Sequence, residues 1–170
     1  VSTIGELGAA ADIMAAVAGN GFLVRNRASV GSMGVYDDHI DAGRLMETIG
    51  VDFDKVQTGP LKAEPDIDDP MVGEVRASLQ ALVDDSYNWF VDIVSARRGI
   101  KRNQVLTLAD GRILTGRQAI AANLADETGG EPEAVAWLEN QFDLAPDLDI
   151  VTHYPPREDD LSRLLRLAGG

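Results

Sequence analysis

Lysine is scarce in this 170-residue sequence, and one of its three lysines has the setting of a chemically active residue. Lys62 lies in the loop 58–65 (TGPLKAEP), directly after a segment that alternates like a strand. Loops at strand ends commonly carry function. A lysine amine serves as a general base once desolvation lowers its pKa from about 10.4 towards about 7–8. Lys62 is therefore a candidate base, and an ordinary surface lysine is the alternative.

The two other lysines are weaker candidates for a general base. Lys55 belongs to the alternating segment 51–57, which predicts a strand with the Lys55 side chain facing solvent. Lys101 lies in the basic turn 97–102, and we expect it at the surface.

The sequence gives little support for a metal-binding site or a phosphate-binding loop. His39 and His153 have no histidine partner at zinc-binding spacing. The acidic groups 37–41 and 66–69 lack the EF-hand pattern, so we interpret them as solvated loops. Neither GxGxxG nor GxxxxGK[ST] occurs, and the chain has no cysteine. We therefore expect no cofactor and no bound metal.

The elements that must position these residues alternate between strand and helix signals. Strands are predicted at 1–4, 22–24 and 51–57, and helices at 9–18 and 42–49. The segment 31–35 is predicted to be a turn that leads into a strand through Tyr36. A long amphipathic helix follows Asp69-Pro70 and ends at Gly99. Shorter helices are predicted at 103–108, 116–124 and 132–142. Such alternation is typical of βαβ units, so the fold class is α/β with a largely parallel sheet.

The chain divides into a main domain at residues 1–144 and a peripheral acidic, proline-containing tail at 145–170, with a small helix predicted at 161–167. Its 45% hydrophobic and 25% charged residues are ordinary for a folded domain. A net charge of −13 argues against binding nucleic acid or anionic lipid. No apolar run is long enough to span a membrane.

Seven motifs, which occur in the family's order along the chain, resemble the signal peptide peptidase A family of serine peptidases. The turn 31–35 (GSMGV) and the Lys62 loop correspond to the family's G-S-[IM]-G-V and S-G-x-[YL]-K motifs. The similarity extends over about residues 1–140, through segments 82–91 (LVDDSYNWFV), 98–99 (RG), 108–112 (LADGR), 115–119 (TGRQA) and 124–126 (LAD). The resemblance implies a ClpP/crotonase-like spiral of ββα units. It also implies that Lys62 is the general base and that Ser32 orients its ammonium.

The departure from the family lies at the nucleophile. The family has a serine about twenty-two residues before the GSMGV serine, at a helix N-terminus, and this position is Ala10 here. Without a hydroxyl no acyl-enzyme forms. A deliberate Ser-to-Ala change and a natural loss of activity both explain Ala10, and the intact Lys62 loop favours the first. The chain begins at Val1 without the family's glycine-rich oxyanion segment, so we expect an N-terminal portion to be absent.

The resemblance implies a Ser–Lys endopeptidase that degrades hydrophobic peptides, such as cleaved signal peptides, in a bacterial envelope. Two alternatives stay open, namely a viral capsid maturation protease in the cytoplasm and a catalytically dead scaffold. The expected partners are a peptide or unfolded protein and further copies of the chain, with the active site shared between protomers. We expect no nucleic acid, and a membrane only through an absent N-terminal anchor.

Overall fold

Short strands and helices alternate along the chain in the computed structural model, which describes residues 1–146 and 148–153. Within these described residues, six strands are each two or three residues long, and the longest helix has 26 residues. In chain order the elements are β1 (Ser2–Ile4), β2 (Leu7–Ala9), α1 (Ala11–Ala18), β3 (Phe22–Val24), β4 (Ser29–Gly31), α2 (Gly43–Ile49), α3 (Gly73–Arg98), α4 (Arg102–Leu108), β5 (Ile113–Thr115), α5 (Gly116–Ala121), β6 (Glu127–Thr128) and α6 (Glu131–Phe142).

The strands form two small sheets, ordered β1-β3-β6 and β2-β4-β5. All pairings are parallel except the one between β4 and β5. Parallel neighbours need a crossover connection, and α1 supplies it between the first two strands and the next two. The predicted α/β class with parallel pairing is therefore confirmed. Strands β2, β4, β5 and β6 were missed because two or three residues carry too little alternation to be recognised.

The core lies where α1 and the second half of α3 pack together with the strands. Its largest fully buried side chains include those of Ile13, Phe22, Leu23, Phe90 and Leu124. Each side chain of this size contributes about 1.5–3 kcal/mol when it is removed from water. The predicted apolar stripe of α3 is buried only in its second half, at Phe90, Val91 and Val94. Among the described residues, no helix is both long and apolar enough to cross a membrane.

Residues 34–89 form an arm in which no residue is buried. The strand predicted at 51–57 is wrong, because this segment is irregular and lacks a hydrogen-bonding neighbour among the strands. Its apolar residues are exposed, and Val56 is fully so. The turn predicted at 31–35 is present, since Gly31 and Ser32 both have positive φ angles and turn the chain, but the strand predicted to follow it through Tyr36 is wrong because Tyr36 lies in an irregular segment.

The predicted helices were largely confirmed. Gly50 and Gly99 end α2 and α3 in the left-handed conformation, as their positions after an apolar-periodic run indicate. The long helix begins at Gly73 rather than after Asp69-Pro70, and α5 ends at Ala121 rather than at residue 124. The small helix predicted at 161–167 lies outside the described residues, as does most of the tail.

Candidate active site

Ala10 occupies a sharp turn between strand β2 and helix α1. Its φ of 48° and ψ of −105° are a conformation that residues with a side chain rarely adopt. The Ala10 amide donates to the Gly31 carbonyl at 2.9 Å, and the Ile13 amide donates to the Ala10 carbonyl at 3.0 Å. A strained strand-to-helix turn is the device by which α/β hydrolases expose a nucleophilic serine. Residue 10 therefore stands at a position suited to a nucleophile, at the N-terminus of an eight-residue helix.

Ser32 lies beside Ala10 because β2 and β4 pair in parallel, with Ala9 opposite Gly31. A Cβ at Gly31, whose φ is 125°, would lie 2.6 Å from the Arg112 carbonyl oxygen, so only glycine fits there. The Ser32 amide donates to the same carbonyl at 2.8 Å, and Ser32 has a φ of 50°. The GSMGV turn is thus held against β5 and presents Ser32 next to Ala10.

Ala10 and Ser32 line one hollow of about 400 Å³. Tyr87 closes part of the hollow, and its hydroxyl donates to the Ala109 carbonyl at 2.9 Å. The other lining residues are Gly34, Val35, Tyr36, Asp110 and Gly111. None of these lining residues was predicted to belong to the site, although Tyr87 and the segment 109–111 lie within the family motifs 82–91 and 108–112.

Asp110 and Arg112 form an ion pair at this hollow. Hydrogen bonds from the Arg112 side chain and amide lower the pKa of Asp110 to about 2. The same pairing raises the pKa of Arg112 above its usual value. Both groups are charged over the whole neutral range, so the pair adds little net charge to the hollow.

Lys62 does not line the hollow that holds Ala10 and Ser32. It is exposed within the arm 34–89, where its amide donates to the Gly59 carbonyl at 3.1 Å in a tight turn. Within one chain, two of the three predicted site residues therefore line one hollow, and Lys62 is not among the residues that line it.

Lys55 corrects the prediction that it faces solvent. Its Nζ lies 2.9 Å from a Glu64 carboxylate oxygen, 3.5 Å from one of Asp66, 3.9 Å from one of Asp68 and 3.5 Å from one of Asp69. Only 22% of the side chain is exposed. The hydrogen bond with Glu64, opposed by desolvation and assisted by the neighbouring carboxylates, raises the pKa of Lys55 above its usual value. The chain is irregular here, so no strand alternation directs this side chain outwards.

The acidic residues 66–69 are accordingly not a simple solvated loop. Their carboxylates surround the Lys55 ammonium. In the described part of the chain, no group of three or more histidine, aspartate or glutamate side chains has an arrangement that could hold a metal ion.

A match to a known protein family identifies the family of this chain. The model of peptidase family S49 matches residues 1–145. The chain belongs to peptidase family S49. The resemblance to signal peptide peptidase A is thereby confirmed, since a relative carries that name. "Putative signal peptide peptidase SppA" of Enterococcus faecium is 31% identical over 113 residues, which are 66% of this chain and 33% of that protein.

Two other relatives extend the comparison. "Putative protease slr0021" of Synechocystis sp. is 34% identical over 173 residues, covering all of this chain and 60% of that protein. "Capsid assembly protease C" of Escherichia phage lambda is 30% identical over 121 residues, which are 71% of this chain and 27% of that protein. The chain thus spans at most about three fifths of the length of these three relatives.

Proposed function

We propose that this S49 chain is part of a serine endopeptidase of Ser–Lys type that cleaves hydrophobic peptides, such as signal peptide remnants. The observation that carries the proposal is the strained turn at residue 10, which places one side chain at the N-terminus of α1 and beside Ser32. We further propose the ClpP/crotonase-like spiral as the arrangement of the whole fold, which the parallel pairings and βαβ crossovers support.

The chemistry begins with a serine at position 10. Its Oγ attacks the peptide carbonyl carbon while the neutral Lys62 amine takes the hydroxyl proton. The carbon–nitrogen bond then breaks, and the Lys62 ammonium returns the proton to the leaving amine. Water attacks the resulting ester, with Lys62 again as base, and the serine is restored. Ser32 orients the Lys62 amine in this scheme, and the N-terminus of α1 favours the negative charge that develops on oxygen.

With Ala10 in place, the chain as it stands lacks the nucleophile and cannot form the ester. An engineered Ser-to-Ala change and a natural loss of activity both account for this residue. The second explanation corresponds to a scaffold that has kept the fold, and it requires alanine at this codon in the unmodified gene. Reading that codon separates the two explanations.

We propose that Lys62 reaches the nucleophile of a neighbouring protomer, so that the active site is shared in a homo-oligomer. Two observations support this arrangement. Lys62 does not line the hollow around Ala10 in its own chain, and it lies in the arm 34–89, where no residue is buried. Enclosing Lys62 between protomers would remove water from its amine and favour the neutral form that a base requires.

Capsid maturation is the second candidate function, because the lambda relative named as a capsid assembly protease matches 71% of this chain. A bacterial envelope protein is the setting that the leading proposal implies, with any membrane attachment through a segment outside this sequence. A viral protease would instead act in the cytoplasm. The genes that neighbour this one, envelope or phage head genes, distinguish the two.

The direct test compares Ala10→Ser with Ala10→Ser/Lys62→Ala, in the longest form of the protein that its gene encodes. We expect the first variant to cleave a hydrophobic peptide and to react with a serine-directed phosphonate, and the second to do neither. Ala10→Ser/Lys101→Ala is the matched control. It should retain activity, because Lys101 is exposed and lies far from Lys62 in the sequence. An assembled Ala10→Ser protein that stays inert to the phosphonate would contradict the proposal.

A further inference from the structure

The four carboxylates around Lys55 outnumber the one ammonium that they share. Glu64, Asp66, Asp68 and Asp69 all lie within 4 Å of its Nζ, so the cluster carries a formal excess of three negative charges. Carboxylates this close together repel one another unless a cation lies between them. Lys55 therefore does more than make one surface ion pair, since it holds the acidic segment 64–69 together.

The neighbouring element adds further charge around this cluster. Residue Asp68 packs closely against α2, where a Cβ at Gly43 would lie 2.1 Å from the Asp68 carbonyl oxygen. The Ala42 amide also donates to the Ile67 carbonyl at 2.7 Å. The charged residues that line the hollow between α2 and Asp68 are Asp41, Arg44, Glu47 and Asp52. These include three acids and one base, so α2 does not neutralise the cluster.

Lys62 lies two residues before Glu64, and therefore just before the acidic segment 64–69. Among the residues that the structure describes, no carboxylate forms an ion pair with it, although all four of these carboxylates follow it within seven residues. A carboxylate beside an ammonium stabilises the charged form and delays loss of the proton. A base held in that way would work only at high pH.

We propose that Lys55 is a positioning residue that engages the carboxylates of segment 64–69 and so keeps them from pairing with Lys62. Lys62 then remains able to give up its proton when the active site forms. The inference rests on the proposed role of Lys62 as general base, but the arrangement of charges on which it depends is present in the chain without the nucleophile.

The test follows Lys62 directly by NMR in the Ala10 chain. Protein labelled with [ε-¹³C]lysine carries three lysine signals, which Lys→Arg variants assign. In Lys55→Met, we expect Glu64 and Asp66 to approach Lys62 and the midpoint of the Lys62 titration to rise by about 0.5 to 1 in pH. This magnitude corresponds to one or two carboxylates about 6 Å away in a largely aqueous setting.

Three further variants make the result specific. Lys101→Met removes the same charge elsewhere and should leave the Lys62 midpoint within about 0.2 of the parent chain. Lys55→Arg keeps a cation at the cluster and should also leave it unchanged. Lys55→Met/Glu64→Gln should bring a raised midpoint back towards the parent value. A Lys62 midpoint that is the same in Lys55→Met and in Lys101→Met overturns the proposal.

Because Lys55→Met removes all four ion pairs of the Lys55 ammonium at once, Glu64→Gln alone offers a milder comparison. It leaves three carboxylates with Lys55, so the Lys62 midpoint should stay at the parent value. A fall as large as the rise expected for Lys55→Met would show that Glu64 already pairs with Lys62, which also overturns the inference.

In the Ala10→Ser protein, Lys55→Met should move the rising limb of the pH–rate profile to higher pH, whereas Lys101→Met should not. An inert Ala10→Ser protein would count against the proposed function alone, because the titration does not depend on activity.

Discussion

Ala10 holds a backbone conformation that normally requires glycine. Strain of this kind costs about 1–3 kcal/mol, whereas the additional freedom of glycine in the unfolded chain costs about 0.5–1 kcal/mol. We therefore predict that Ala10→Gly raises the free energy of unfolding by about 0.5–2 kcal/mol, measured by urea denaturation. Ala11→Gly, at the first residue of α1, should lower it by about 0.5–1 kcal/mol. An equal loss in both variants would contradict the strain at residue 10.

Asp126 makes the stability of the chain depend on pH. Burial opposes its ionisation, but hydrogen bonds from Arg98 and from the Phe22 amide outweigh burial and keep the pKa of Asp126 below its usual value. A carboxyl group with a lowered folded-state pKa adds stability above its unfolded pKa. That contribution is lost as the pH falls through the folded-state pKa.

We predict that Asp126→Asn lowers the free energy of unfolding by about 1–2 kcal/mol at pH 7, because two donors lose a charged acceptor. The difference from the parent chain should shrink as the pH falls from about 4 towards 2. Urea denaturation over this range measures it. Asp85→Asn, on the exposed side of α3, should change stability by less than about 0.5 kcal/mol at every pH. A constant difference between Asp126→Asn and the parent chain would contradict the proposed linkage.

At the scale of elements, α5 depends on a reciprocal cap. The Gln118 amide donates to the Thr115 hydroxyl oxygen at 3.3 Å, and the Thr115 amide donates to the Gln118 side-chain oxygen at 2.8 Å. We predict that Thr115→Ala destabilises the chain by about 1 kcal/mol in urea denaturation, because α5 loses its N-cap. Thr107→Ala, within α4 and exposed, should have little effect. Equal effects of the two changes would argue against the cap.

At the scale of the whole molecule, the arm 34–89 is large for a segment without a buried residue. Leu82 and Trp89 on α3 are 62% and 56% exposed, and their seven-residue spacing places them on one helix face. Apolar faces of this kind commonly mark interfaces. We predict that the chain sediments as an oligomer and that Trp89→Glu shifts it to smaller species. Gln80→Glu, on the opposite side of the helix, is the control and should leave the oligomer intact. A parent chain that sediments as a monomer would contradict the shared site.

The sequence by itself determined the features that depend on a few neighbouring residues. Helix ends at Gly50 and Gly99 follow from local conformational preference, since glycine tolerates positive φ at little cost. The helix N-terminus at residue 10 and the turn at Ser32 were located from motifs that are themselves local. These features needed no knowledge of what packs against them.

Only the tertiary structure decided the features that depend on distant partners. Segment 51–57 alternates like a strand but finds no neighbour to pair with, and alternation alone cannot supply one. Lys62 is nearer than Lys55 in the sequence to Glu64 and Asp66, yet in the described part of the chain these carboxylates pair with Lys55. The hollow that Tyr87 shares with Ala10 brings together residues 77 positions apart in the sequence. Such contacts arise from how whole elements pack, which local propensity does not encode.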